Sequence, residues 1–200
     1  MKQVILNIAV FALIIAGCNS VENNKPSIDS KSADTTQSTG NHAIETNAST
    51  KMDSKLDGSM NEMVAQYLQI KNALANDNGK DAASAGNAYV ESMGKMDKNS
   101  LSGDKKMKWD DVSDDAKEMA EHIGKNADKL EHQREHFDML SEDMYDLVKT
   151  FGLKQVLYQD FCPMANDKKG ATWLSESKEI KNPYMGKKMP GCGSFKEELK

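Results

Sequence analysis

The sequence predicts an all-α fold: an up-down bundle of about four helices, with a small loop-rich, strand-containing C-terminal module packed on one end. Three observations lead there. Apolar residues recur at the helical period over four stretches between positions 59 and 151. The links between those stretches are short, which makes successive helices antiparallel neighbours. After Gly152 the period is lost, and Gly, Pro and aromatic residues become dense.

The first stretch, 59–76, carries Met63, Tyr67, Ile70 and Leu74 as its stripe, flanked by Val64 and Leu68. Asn76-Asp77-Asn78-Gly79 then has the chemistry of a turn. The second, 81–96, sets Ala82, Ala85, Tyr89, Met93 and Met96 on one face, with Asp81 as N-cap. A polar loop containing Ser100, Gly103 and Trp109 is expected over 97–111. The third helix, 113–123, opens on Ser113-Asp114-Asp115, a cap followed by negative charge at the positive helix end. Val112, Ala116, Met119 and Ile123 line one side of it, and Gly124 and Asn126 end it. The fourth, 127–151, keeps the period through Leu130, Phe137, Leu140, Met144, Leu147 and Phe151, and Gly152 closes it. Because the apolar phase nearly continues across the break, one bent helix spanning the third and fourth stretches is the alternative.

The module, 153–200, holds a short strand at Gln155–Gln159 and then tight loops. Asn166-Asp167-Lys168-Lys169-Gly170 is turn-like. Phe161, Trp173, Tyr184 and Phe195 are too many large rings for a solvated tail, so they are expected to pack the module onto the bundle.

The amino terminus has a different character. Lys2 precedes an apolar run from Val4 to Ala16, broken only by Asn7. That run is too short to cross a bilayer, which takes about 20 residues, and has the order of a secretory signal. It ends in Ile15-Ala16-Gly17-Cys18, which resembles the lipobox of bacterial lipoproteins. The resemblance implies that residues 1–17 are a signal peptide and that Cys18 takes the lipid and begins the mature chain. Two acyl chains then anchor it stably. Asn19 and Ser20 follow, with no Asp at the second mature position; by resemblance to the sorting rule of enteric bacteria, this implies the outer membrane, facing the periplasm. Residues 18–58 are polar with isolated apolar residues, and read as a disordered tether. His42 within it is expected to be merely solvated.

About 140 residues remain, enough for one compact domain. The formal net charge of −5 argues against a nucleic-acid surface, as does export. No G-x-S-x-G, H-E-x-x-H, phosphate loop or C-x-x-C is found, so an enzyme is not expected, and no small-molecule substrate is evident.

The chemistry lies in sulfur. Cys162 and Met164 are two apart, so in an extended stretch they face one side. Met189 and Cys192 are three apart, within reach across a turn. Thiolate and thioether select Cu(I) or Ag(I) over harder ions. Cys162, Met164, Met189 and Cys192 are therefore candidate ligands, with Met185 as a further one. His132 and His136 are one helical turn apart, and of the two His136 is the better candidate addition to that site. The competing reading is a Cys162–Cys192 disulfide closing a loop of about 30 residues, worth ~3 kcal/mol in the chain-entropy model.

These same residues carry a family resemblance. Cys162-Pro163-Met164-Ala165, Gly170-Ala171-Thr172-Trp173-Leu174-Ser175, Ile180-Lys181-Asn182-Pro183-Tyr184-Met185-Gly186 and Met189-Pro190-Gly191-Cys192-Gly193 carry most of it. Gln133-Arg134-Glu135-His136-Phe137 and Leu140-Ser141 add to it. Together they resemble an uncharacterised helical domain of Bacteroidetes-type lipoproteins, which also occurs fused to periplasmic adaptor subunits of copper/silver efflux pumps. The resemblance covers about Met60 to Lys200 and implies a role in extracytoplasmic copper or silver handling, with a heavy-metal efflux complex as partner. Met185 stands where family members commonly have an aromatic. Two functions follow as expectations: a membrane-anchored Cu(I)/Ag(I)-binding protein, or a metal-free interaction module stapled by Cys162 and Cys192.

Overall fold

The computed structural model describes residues 43–200, with side-chain environments from Ser54 onward. The signal peptide, Cys18 and the tether up to residue 42 lie outside the described residues. Four long helices make the bundle: α1 (Ala43–Ala75), α2 (Gly79–Met93), α3 (Gly103–Lys125) and α4 (Leu130–Phe151). Consecutive helices pack against each other, and α4 returns against α1. No described helix is long and apolar enough to cross a membrane.

The stripes read from the sequence are the core. Met63, Tyr67, Ile70, Leu74, Tyr89, Ile123, Phe137, Leu140, Met144 and Leu147 are all fully buried. Two boundaries move by ten residues or more, and the first strand shifts to Leu157–Cys162 from the expected 155–159. Helix α1 begins at Ala43, so residues 43–58 are helical rather than tether. Leu56 and Met60, both buried, extend the apolar stripe back two turns from Met63 and give this polar segment a tertiary anchor. Helix α3 begins at Gly103, so the expected polar loop is mostly helix. Its reason is Trp109: at 1% exposure it starts the buried stripe that continues through Val112, Ala116 and Ile123. Asp104 in the first turn and the Lys106–Asp110 pair one turn apart assist.

Helix α2 is capped by Asn78, whose side-chain oxygen accepts the Asp81 N–H at 3.1 Å; Asp81 therefore sits inside the helix, not at its cap. Helices α3 and α4 are separate, broken at Asn126–Lys129. Fully buried Gln133 bridges that break by donating to the carbonyls of Ile123 (3.0 Å), in the last turn of α3, and Gly79 (2.9 Å), at the start of α2.

The module is a three-stranded antiparallel sheet in the order β2-β1-β3: β1 (Leu157–Cys162), β2 (Ala171–Ser175) and β3 (Ser194–Leu199). Its contacts run along α4 from Arg134 to Lys149, so it lies along the α1–α4 face of the bundle rather than over one end. Tyr67 pins it: its hydroxyl accepts the Leu174 N–H at 2.9 Å and meets Ser141 Oγ at 2.9 Å. Trp173 and Tyr184 are buried as expected, but Phe195 is 54% exposed, because it projects from an edge strand.

Candidate metal centre

The break at Asn126–Lys129 folds α4 back along α3, and this brings three histidines together. His122 sits in the last turn of α3; His132 and His136 occupy successive turns of one α4 face. One ligand nitrogen from each lies within 4.8 Å of the other two. The Nε2 atoms of His132 and His136 are 3.1 Å apart, near the ~3.3 Å edge expected between nitrogens bound at ~2.0–2.1 Å around a tetrahedral ion. The His122 ring stacks on His136 with centroids 4.3 Å apart.

The surroundings orient these rings. Nδ1 of His136 lies 3.2 Å from Sδ of Met119, which leaves Nε2 facing the cluster. Nδ1 of His132 is 3.3 Å from Glu135 Oε2, and His122 Nε2 is 3.7 Å from Glu118 Oε1. Of these, the His132–Glu135 contact is within hydrogen-bond distance, the kind of outer partner that orients a metal-binding imidazole. Burial, then the neighbouring His122 and His132, hold the His136 pKa below its usual value, so that ring is neutral and free to ligate at neutral pH.

The cysteines form a different constellation. Cys162 ends β1 and is fully buried; Cys192 comes from the loop before β3 and is partly exposed. Both are free thiols, with sulfurs 2.7 Å apart. Buried Asn182 shapes this loop: Oδ1 accepts the N–H groups of Tyr184 and Met185, and Nδ2 donates to the Cys192 carbonyl. The hydrogen bond to Cys162, then burial, push the Cys192 thiol up, while the Met164 N–H works against them.

The ligand set expected from the sequence is therefore not one site. Cys162 and Cys192 meet in the module. His132 and His136 point instead to α3, because on α4 Arg134 and Asp138 occupy the face that turns to the module, contacting Pro183 and Asn166. Met164 and Met185 line a cleft with Glu135, and Met189 is exposed on the loop. His122 and Met119 were not among the sequence candidates. The sign that could have found His122 was its place just before the helix break, where an antiparallel return brings it opposite His132 and His136.

Comparison with known proteins finds one family. Residues 63–156 match a family described as "Protein of unknown function (DUF3347)". The matched span is just under half of the chain; it includes Met119 and the three histidines and stops one residue before β1. No curated protein and no solved structure matches the chain.

Proposed function

We propose that this chain is a lipid-anchored extracytoplasmic protein that binds a soft metal ion, Cu(I) or Ag(I), at His122, His132 and His136 beside Met119. The observation that carries this reading is the convergence of three imidazoles from two helices within 4.8 Å on a partly open face. Crowded imidazoles repel once protonated, and a shared cation turns that penalty into a gain. Imidazole suits several transition metals; a thioether against the cluster favours the monovalent soft ones. Met119 is unbranched, so its sulfur can turn from His136 towards a bound ion. The lipobox-like leader and the resemblance to domains fused to efflux adaptors support an extracytoplasmic copper or silver cargo, delivered to a heavy-metal efflux complex.

The test is an anaerobic Cu(I) competition titration of the reduced full-length chain against a chromogenic chelator. One-to-one binding that is lost in H122A/H132A/H136A and kept in C162S/C192S is the expected result. The opposite pattern moves the site to the sulfur pair. Absence of binding in the wild type overturns the metal reading. The second reading, a metal-free interaction module, is favoured by the 2.7 Å approach of Cys162 and Cys192, which suits a staple.

A further inference from the structure

A second group of soft donors lies outside the histidine cluster. Between α4 and the module runs a cleft of about 370 Å³, and the side chains of Met164 and Met185 line it together with Glu135 and Asp138. Met164 is 45% exposed, and Met185 is half-buried, packed against the core on one side. Thioethers facing carboxylates suit one kind of ligand, a soft cation: sulfur supplies the preference and carboxylate the compensating charge. Two cations also line the cleft. Arg134 is held by Asp77 and Glu131, while Lys188 stands at the opposite, module side. Asp138 is not closed off by a cation, since its Oδ2 accepts from Asn166 Nδ2 at 3.0 Å.

Glu135 joins this cleft to the histidines. At 100° per residue it lies on α4 between the Asp138 side and the His132–His136 side. It lines the cleft, yet its Oε2 is 3.3 Å from His132 Nδ1. We propose that Met164 and Met185, with Glu135 and Asp138, form an open landing site for Cu(I) or Ag(I), from which the ion passes by ligand exchange over Glu135 to the histidine centre. The transfer rests on the metal reading above; the landing site does not. No electron moves, because the ion keeps its charge and exchanges thioether and carboxylate for imidazole.

The methionines themselves report the outcome. Ag(I) is titrated into the full-length C162S/C192S chain carrying [methyl-13C]methionine, so that the free thiols do not take the ion, with the three histidines intact and as the H122A/H132A/H136A variant, and methyl spectra are recorded at each step. In the variant, the Met164 and Met185 methyls should shift first, ahead of Met107, Met139 and Met189, which are exposed elsewhere among the described residues. If all five move together, silver is binding surface thioethers at large and the landing site is overturned. With the histidines intact, Met119 should respond; a silent Met119 overturns the histidine reading while leaving the cleft result to stand. Transfer is tested by M164L/M185L, swaps that conserve volume and fold. Cu(I) loading of the histidine centre from a chelator should slow about tenfold with the final affinity unchanged. An unchanged rate overturns the transfer step.

Discussion

The Sδ atom of Met119 on α3 lies 3.2 Å from Nδ1 of His136 on α4. This contact crosses the α3–α4 hairpin and sets which nitrogen of His136 faces the other two rings. Met119→Leu keeps the packing and removes the sulfur. Cu(I) affinity should fall about tenfold, the loss typical of removing a partner that orients a ligand, while Zn(II) affinity changes less. Parallel Cu(I) and Zn(II) competition titrations measure the ratio; an equal fall for both ions would reduce Met119 to a packing residue.

Cys162 and Cys192 offer a stability test that is independent of metal. Their sulfurs already approach within 2.7 Å, so oxidation closes a loop of about 30 residues and stabilises the fold by about 3–4 kcal/mol in the chain-entropy model. Thermal unfolding of the full chain should show a lower Tm with reductant than without. C162S/C192S should unfold at the reduced temperature under both conditions, and its Cu(I) stoichiometry should remain one.

Asp160 predicts a pH dependence. It sits in β1 opposite Trp173 and Phe195, fully buried, and neither carboxylate oxygen has a hydrogen-bond partner among the described residues. Burial raises its pKa to about 6 against an ordinary 3.8, with Lys71 pulling the other way. Between those values the folded state holds the proton more tightly than the unfolded chain does. Stability is therefore greatest below about pH 4 as far as this group is concerned, and declines as pH rises through about 6. Asp160→Asn should raise stability at pH 7 by roughly 2–3 kcal/mol and flatten this part of the pH profile. Denaturant midpoints at pH 5 and pH 7 decide it; a variant no more stable than wild type at pH 7 refutes the assignment.

Gly186 tests how the module is fastened to the bundle. Arg134, nearly buried, donates to the carbonyls of Pro183 (2.8 Å) and Leu74 (3.1 Å) and pairs with Asp77 and Glu131. Gly186 closes over this knot with φ +52°, and a Cβ there would strike both the Asp77 carboxylate and the Arg134 guanidinium. Gly186→Ala should cost roughly 2–4 kcal/mol, since it adds backbone strain to a disrupted, partly buried ion pair. Gly152 has φ +73° but open space around it, so Gly152→Ala should cost only about 1–2 kcal/mol. Chemical denaturation of both variants checks the order.

Periodicity made the bundle legible. Tyr67, Tyr89, Phe137 and Met144 could be named as core because a helix that must bury one face repeats its apolar residues every three to four positions. The same rule failed at Trp109, which has only exposed Met107 for apolar company in a run of lysines and aspartates; its burial shows why α3 starts so early. Asn182 was visible in the sequence as part of the Ile180–Gly186 motif, but not the two N–H groups and the Cys192 carbonyl that it serves.

By itself the sequence determined the helix stripes, the loop-rich module and the chemical alphabet available to a site: soft sulfur, a helical His pair and two distant cysteines. Those are local properties, fixed by residue type and short spacing. Only the tertiary structure decided which donors meet. The return of α4 along α3 gives His132 and His136 the partners His122 and Met119 and turns them from the cysteines. The sheet joins Cys162 to Cys192, and the module's seat on α4 places Met164 and Met185 opposite Glu135. A metal centre depends on donors converging within a few ångströms, and that convergence arises from long-range packing that no local spacing encodes.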